Sequence, residues 1–243
     1  MENLSKNKIK LIRSLQLKKQ RDESGQFIVE GEKMVQEAIT IFPELIEFIC
    51  FTDKSEFFHQ SFDFPSYLAK EEELKSISSM NSPNKSLIVL KKPTFKSTNS
   101  TFKLVLDTIQ DPGNLGTIMR LADWFNVKEI ICSKDTVDIF NSKVVQASMG
   151  AIFRIAVFYT NLEEYLSNYQ GKIYGALLEG ENIYKTKLEL DGLLILGNEG
   201  NGISEKIKPF ITDPITIPRF GQAESLNVSI ATGILLSEFH REI

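Results

Sequence analysis

The chain has only two cysteines and two histidines among its 243 residues. Cys50 and Cys132 each sit in an apolar, strand-like run. They read as buried free thiols in a reducing compartment, and no disulfide is expected. His59 and His240 lie far apart with no ligand-like neighbours, so no metal site is expected. No apolar run approaches the ~20 residues that cross a bilayer. No apolar segment follows the Lys-rich start, so a secretory signal is not expected and a cytoplasmic location is. Internal repeats and low-complexity tracts are also lacking. What remains is the composition of a globular protein, 42% hydrophobic and 25% charged, with room for one large domain or two small ones.

Net positive charge is lacking too. At −4, the whole chain argues mildly against a nucleic-acid partner. Its distribution argues the other way. The first 21 residues hold seven basic side chains (Lys6, Lys8, Lys10, Arg13, Lys18, Lys19, Arg21) and one acidic, Glu2. Lys91, Lys92, Lys96 and Lys103 form a second basic stretch with no acid within it. Clustered charge can attract phosphates whatever the total, although a Lys-rich helix by itself reads first as a plain solvated face.

The hydrophobic pattern alternates strand and helix. It predicts a helix over 4–20 stopped near Gly25, a short strand at Phe27-Ile-Val, a helix over 32–41 and a strand over 46–51. A charged helix over 70–77 and a strand over 86–90 follow. This half reads as a small α/β domain. Residues 91–101 are polar, Ser/Thr-rich and contain Pro93, which suits a linker. The expected domains are therefore 1–95 and 96–243. The second half predicts strands at 104–106, 129–132, 155–158, 173–177, 193–196 and 215–217. Helices are expected at 115–125, 141–149, 162–169, near Ser204, and at 226–239. Runs such as Leu193-Leu-Ile-Leu suit a parallel sheet covered on both faces.

Three segments of the second half share a strand–loop–helix form. In the first, Asp111-Pro-Gly-Asn-Leu-Gly-Thr-Ile-Met-Arg120 starts with turn chemistry and runs into a helix. Asn114 is placed as its N-cap. Arg120, two turns in, reads by itself as an exposed residue of an amphipathic helix. In the second, Gly197-Asn-Glu-Gly-Asn-Gly202 follows a strand. Its glycines run G-x-x-G-x-G, the reverse of the dinucleotide fingerprint, and the helix after it is short, which opposes an NAD site. Three glycines in six residues let a ligand approach the backbone. Glu199 alone could be a solvated turn residue. In the third, Ile217-Pro-Arg-Phe-Gly-Gln-Ala-Glu-Ser-Leu-Asn227 leads into the last apolar helix, expected to begin near Ser225. Ser225, Leu226 and Asn227 would then stand at a helix start, where free N–H groups suit polar or anionic ligand groups. Plain N-capping accounts for the same residues.

In order and spacing, over roughly residues 103–241, these segments resemble the three motifs of the SpoU/TrmH-type RNA 2′-O-ribose methyltransferases of the SPOUT superfamily. The stretch Lys18-Lys-Gln-Arg-Asp-Glu-Ser-Gly-Gln-Phe-Ile-Val-Glu-Gly31 is similar to the signature of the substrate-binding domain that precedes the catalytic domain in some members. The resemblance implies an α/β chain. A small ribosomal-protein-like RNA-binding domain would precede a parallel-sheet domain with a trefoil knot. It implies S-adenosyl-L-methionine as cofactor, RNA as substrate (ribosomal first, transfer second) and a homodimer.

The resemblance also assigns residues. Arg120 would be the catalytic arginine, acting as base or as positioner of the ribose hydroxyl, with Asn114 beside it. Glu199 would sit near the reaction centre or hold the loops together. Ser225 and Asn227 would touch the methionine part of the cofactor or brace the loops. Gly197, Asn198, Gly202, Ile217, Pro218 and Leu226 would contact the cofactor, with Leu178 on another wall. Lys18, Lys19 and Arg21 would grip RNA, as would Arg219, which stands where many relatives carry methionine. A non-catalytic RNA-binding protein of the same fold and a nucleotide-binding oxidoreductase are the alternative readings.

Overall fold

The computed structural model describes residues 2–80 and 84–241. The chain divides into two compact units, Met1–Thr94 with Asp138–Phe153, and Phe95–Val137 with Arg154–Ile243.

The first unit opens with β1 (Glu2–Asn3), α1 (Lys6–Ser14) and α2 (Lys18–Ser24). The single helix expected over 4–20 is thus two. Leu15, only 2% exposed, enters the core at the break. The turn there leaves the carbonyls of Leu15 and Gln16 without helical partners, and Arg21 Nη1 donates to both at 2.9 Å. Gly25, at φ +66, then ends α2 in the left-handed conformation that favours glycine. The unit continues with β2 (Gln26–Glu30), α3 (Glu32–Ile41), β3 (Ile46–Phe51), β4 (Ser66–Leu68), α4 (Glu71–Ile77) and β5 (Ser86–Lys91). Its strands form a mixed sheet in the order β1-β4-β3-β5-β2. Ile12, Leu15, Phe48 and Leu74 pack on one side of that sheet in a single core.

The second unit contains β6 (Phe102–Leu106), α5 (Pro112–Trp124) and β7 (Glu129–Ser133). The next helix along the chain, α6 (Ser142–Ser148), belongs to the first unit and packs on β2. β8 (Ala156–Thr160), α7 (Leu162–Ser167), β9 (Ile173–Asn182), β10 (Gly192–Leu196), β11 (Asp213–Thr216) and α8 (Val228–Phe239) complete the second unit. Its six strands run parallel in the order β11-β9-β10-β6-β7-β8. Val105, Leu193 and Ile195 are fully buried in it, as expected of strands covered on both faces. The chain leaves β6 in one direction to β7 and β8, and fills β10 and β9 on the other side. The sheet therefore has a topological switch point between β6 and β10, where open parallel sheets bind ligands.

Two details position the site. β9 is longer than its apolar pattern suggests, and its register with β11 jumps from Gly175↔Pro214 to Glu181↔Ile215. Residues 176–180 are thrown out of the ladder as a bulge. A Cβ on Gly180 would lie 2.8 Å from the Pro214 carbonyl, so glycine is needed where the bulge rejoins. The short helix expected near Ser204 is a turn, followed by a 3-10 turn at Lys208–Phe210. Cys50 and Cys132 are both buried and unbridged, and burial pushes both thiols far up. Among the described residues no helix is long and apolar enough to cross a membrane.

Candidate active site

The loop after β10 closes on itself. Asn198 and Gly202 exchange backbone bonds at 3.0 and 2.9 Å, and Asn198 Oδ1 accepts the Gly200 and Asn201 N–H groups at 2.9 and 3.2 Å. A Cβ on Gly197 would lie 2.1 Å from the Gly202 carbonyl carbon. The loop's own return therefore demands this glycine, before any ligand does. Asn198 Nδ2 donates to the Thr108 carbonyl at 2.8 Å and ties the loop to the end of β6. Asp107, 1% exposed, accepts the Ser204 N–H at 2.8 Å and makes a second tie. Asp107 was not singled out in the sequence. Its one signal is an acid closing an otherwise apolar strand.

Asp111, not Asn114, caps α5. Its carboxylate accepts the Asn114 N–H at 2.8 Å, and Pro112 occupies the first helical position. Proline there needs no partner for its nitrogen, so the cap falls on the residue before it. Asn114 thus lies inside the first turn with its amide available. Its Nδ2 donates to Glu199 Oε1 at 2.8 Å, and its Oδ1 accepts Asn227 Nδ2 at 2.9 Å.

α8 begins at Val228, later than expected, because Asn227 is its cap. Asn227 Oδ1 accepts the N–H groups of Ser229 and Ile230 at 2.9 and 3.3 Å. Ser225 and Leu226 precede the helix in an exposed loop, so neither is at the helix start. Ser229 was missed by sequence reasoning. Its hydroxyl donates to Asn227 Oδ1 at 2.6 Å, but a serine in the first turn of an apolar helix carries no distinguishing pattern. Glu199, Asn114 and Asn227 thereby join three loops in one chain of side-chain bonds.

Next to that chain lies a cleft of about 740 Å³. Gly197, Asn198, Glu199, Gly202, Ile217, Pro218, Arg219, Ser225, Leu226 and Leu178 all line it. The bulge in β9 carries Leu178, which is 78% exposed at the rim. Ile217, Leu226 and Leu178 supply apolar surface, while Glu179, Glu199 and Glu224 supply carboxylates. A slot of this size and mixture suits a small molecule with a flat apolar end and a cationic or zwitterionic end.

Arg120, Asn114 and Asn227 do not line the cleft. Arg120 is exposed about two turns along α5. Among the described residues no hydrogen bond or ion pair engages its guanidinium. Arg219 is exposed and donates to the Ala223 carbonyl within its own loop at 3.3 Å.

In the first unit, Lys18 and Lys19 are exposed. Arg21 is not the RNA-gripping surface residue expected. It is 2% exposed, and its Nε and Nη2 hold Asp138 at 3.0 and 2.7 Å. With Leu15 and Gln16 also taken, its guanidinium is spent inside the fold. The second basic stretch is largely neutralised as well. Lys91 pairs with Glu47, Lys92 with Asp22 and Lys103 with Glu129, at 3.1, 2.6 and 2.8 Å.

This geometry has counterparts among known proteins. The chain is 30% identical over 241 residues to the 23S rRNA (guanosine(2553)-2′-O)-methyltransferase RlmP of Bacillus subtilis, covering 97% of each chain. A TrmH-family protein of Porphyromonas gingivalis has a similar structure, at 36% identity and TM-score 0.86, with 99% of both chains covered. So does an AdoMet-bound rRNA methyltransferase from Sinorhizobium meliloti, at 27% identity and TM-score 0.87, with 100% of this chain and 97% of that one covered. Residues 6–87 match the MRM3-like substrate binding domain. Residues 101–237, more than half of the chain and all three loops, match the SpoU rRNA Methylase family, and the chain belongs to that family.

Proposed function

We infer that this protein is an S-adenosylmethionine-dependent RNA methyltransferase that modifies a ribose 2′-hydroxyl of ribosomal RNA. The observation that carries this reading is a cleft of about 740 Å³ walled by the second and third loops and the β9 bulge, with the first loop bonded through Asn114 to Glu199 on its wall. The cleft fits the cofactor. Apolar side chains of Ile217, Leu226 and Leu178 suit its adenine, and nearby carboxylates suit its positive charge. When bound, the cofactor supplies an electrophilic methyl group on a sulfonium.

The chain's own residues then have separable roles. The backbone around Gly197, Asn198, Gly202, Pro218 and Leu226 holds the donor, and Ser225 contacts its methionine part. Asn114 and Asn227 do not touch the donor. They keep the Glu199 loop in place through the bonds described above. Arg120 lies outside the donor cleft on an exposed helix face, so it grips the acceptor, holding a phosphate beside the target ribose. It acts as a positioner rather than a base. Orienting the hydroxyl and stabilising its developing negative charge asks the guanidinium to accept no proton; the hydroxyl proton leaves to water as the oxygen is methylated.

Lys18, Lys19 and Arg219 supply further phosphate contacts. The protein works as a homodimer. The support is α8, an apolar helix whose Ile230 is nevertheless 57% exposed. Calorimetry with S-adenosylhomocysteine and mass mapping of ribose methyls in ribosomal RNA, with and without this gene, test the reading together. Binding of the nucleoside and loss of one ribose methyl are expected. An unchanged ribose-methyl map in ribosomal RNA with a lost methyl in transfer RNA would move the substrate, and no nucleoside binding would end the reading.

A further inference from the structure

A second groove lies in the same unit, away from the donor cleft, and nothing above uses it. It measures about 650 Å³ and is lined by Trp124, Asn126, Lys128, Asn99, Thr101 and His240, among others. We propose that it takes an unpaired nucleotide of the RNA, with the base stacked on Trp124. The proposal rests on the RNA reading given above.

Three observations carry it. Trp124 is the chain's one tryptophan and is 84% exposed. An indole left this far in water is a large flat surface without a covering partner among the described residues, and base–aromatic stacking is what such a platform offers to nucleic acid. Second, among the described residues the groove has no carboxylate in its lining, although the chain as a whole is acidic and the donor cleft displays three. Lys128 supplies a cation for a phosphate. Asn99 and Asn126 sit at φ 54° and 57°, in the left-handed region that asparagine adopts more readily than most side chains. Each amide offers a donor and an acceptor to a base edge.

Third, Trp124 is four residues beyond Arg120, about 6 Å along α5, and both are exposed. A strand whose acceptor ribose is gripped at Arg120 would lay a neighbouring nucleotide against the indole. The groove would then fix where along the strand the target ribose falls. Sequence preference would come from stacking and the two amides, not from the donor cleft.

The single indole is its own reporter. The full-length protein is titrated at low salt with an oligoadenylate of about 12 nucleotides, within the range of known single-strand sites. Saturable quenching of tryptophan emission is expected. Trp124→Ala should bind the oligomer about tenfold more weakly, as for loss of one stacked base, while Trp124→Phe keeps most of the affinity. Absence of binding, binding with unchanged emission, or wild-type affinity in Trp124→Ala would overturn the proposal. So would a Trp124→Ala variant that sediments as a smaller species with its RNA affinity intact, since the indole would then serve a contact between copies. Methyl transfer by the wild type to a 23S ribosomal RNA transcript is measured in parallel. Transfer without quenching removes the groove and leaves the enzyme. Quenching without transfer leaves the groove and removes the assigned reaction.

Discussion

Asn114 Nδ2 donates to Glu199 Oε1 at 2.8 Å, so two residues 85 positions apart hold each other beside the cleft. Asn114 also accepts from Asn227, and one amide therefore fixes two loops. Asn114→Ala and Glu199→Ala should each weaken S-adenosylhomocysteine binding, although Asn114 does not itself line the cleft. A double-mutant cycle on that affinity is expected to show coupling of about 0.5–3 kcal/mol, the range for residues in one hydrogen-bond network. Strictly additive losses would mean that the bond does not support the cleft.

Arg120→Ala separates donor from acceptor. Because Arg120 lies outside the cleft, its loss should leave S-adenosylhomocysteine affinity unchanged. Methyl transfer should fall at least ~10²-fold, the cost of removing one positioned charge-stabilising group. Turnover near wild type would remove the assigned role. Arg120→Lys should recover little, since a single ammonium does not reproduce the planar fork of the guanidinium.

The basic N-terminal segment divides into surface and core. Lys18→Glu with Lys19→Glu should weaken RNA binding and lower the slope of affinity against salt, leaving stability nearly unaltered. Arg21→Ala should instead destabilise the first unit by about 3–5 kcal/mol, because it strands Asp138 and two carbonyls. Thermal unfolding and salt titrations on the two variants check the division. Equal effects on folding from both would contradict it.

Glu129 gives a pH dependence. Its side chain is 1% exposed. Burial works against its charge, but Lys103 at 2.8 Å and donors from Thr98 and Ser97 outweigh burial and hold its carboxyl below the usual range. A depressed folded pKa contributes stability that is full above the unfolded value, about 4.3, and is lost as pH falls through the folded one. Glu129→Gln should be about 2 kcal/mol less stable than wild type at neutral pH, with Lys103 left unpaired. The gap should begin to narrow as pH falls below about 4.3 and close only below the depressed folded value. A gap constant across that range would show that charge plays no part.

The alternation of strand and helix was legible because burial periodicity is written locally. The expected ranges 32–41 and 46–51 coincide with α3 and β3. The run Leu193-Leu-Ile-Leu did announce a strand covered on both faces. The three loops were legible for another reason. Their turn and glycine chemistry is unusual enough to mark a family, and the family matches over those same residues.

Other features depended on partners far away in the chain. The break between α1 and α2 depends on carbonyls that Arg21 captures, and Arg21 is itself fixed by Asp138, 117 residues on. Charge count alone made Arg21 look like its exposed neighbour Lys19. The bulge of β9 is set by its register with β11, and no apolar pattern within β9 encodes it.

By itself, the sequence determined the family, the alternating α/β order and the identity of the loops, because turn preferences and hydrophobic period act over a few residues. Tertiary structure alone decided that Asp111 and Asn227 are the caps, that Asn114 is spent between loops, and that Arg120 stands outside the donor cleft. A polar side chain has several partners open to it, and the one it takes depends on which distant backbone the fold brings within about 3 Å.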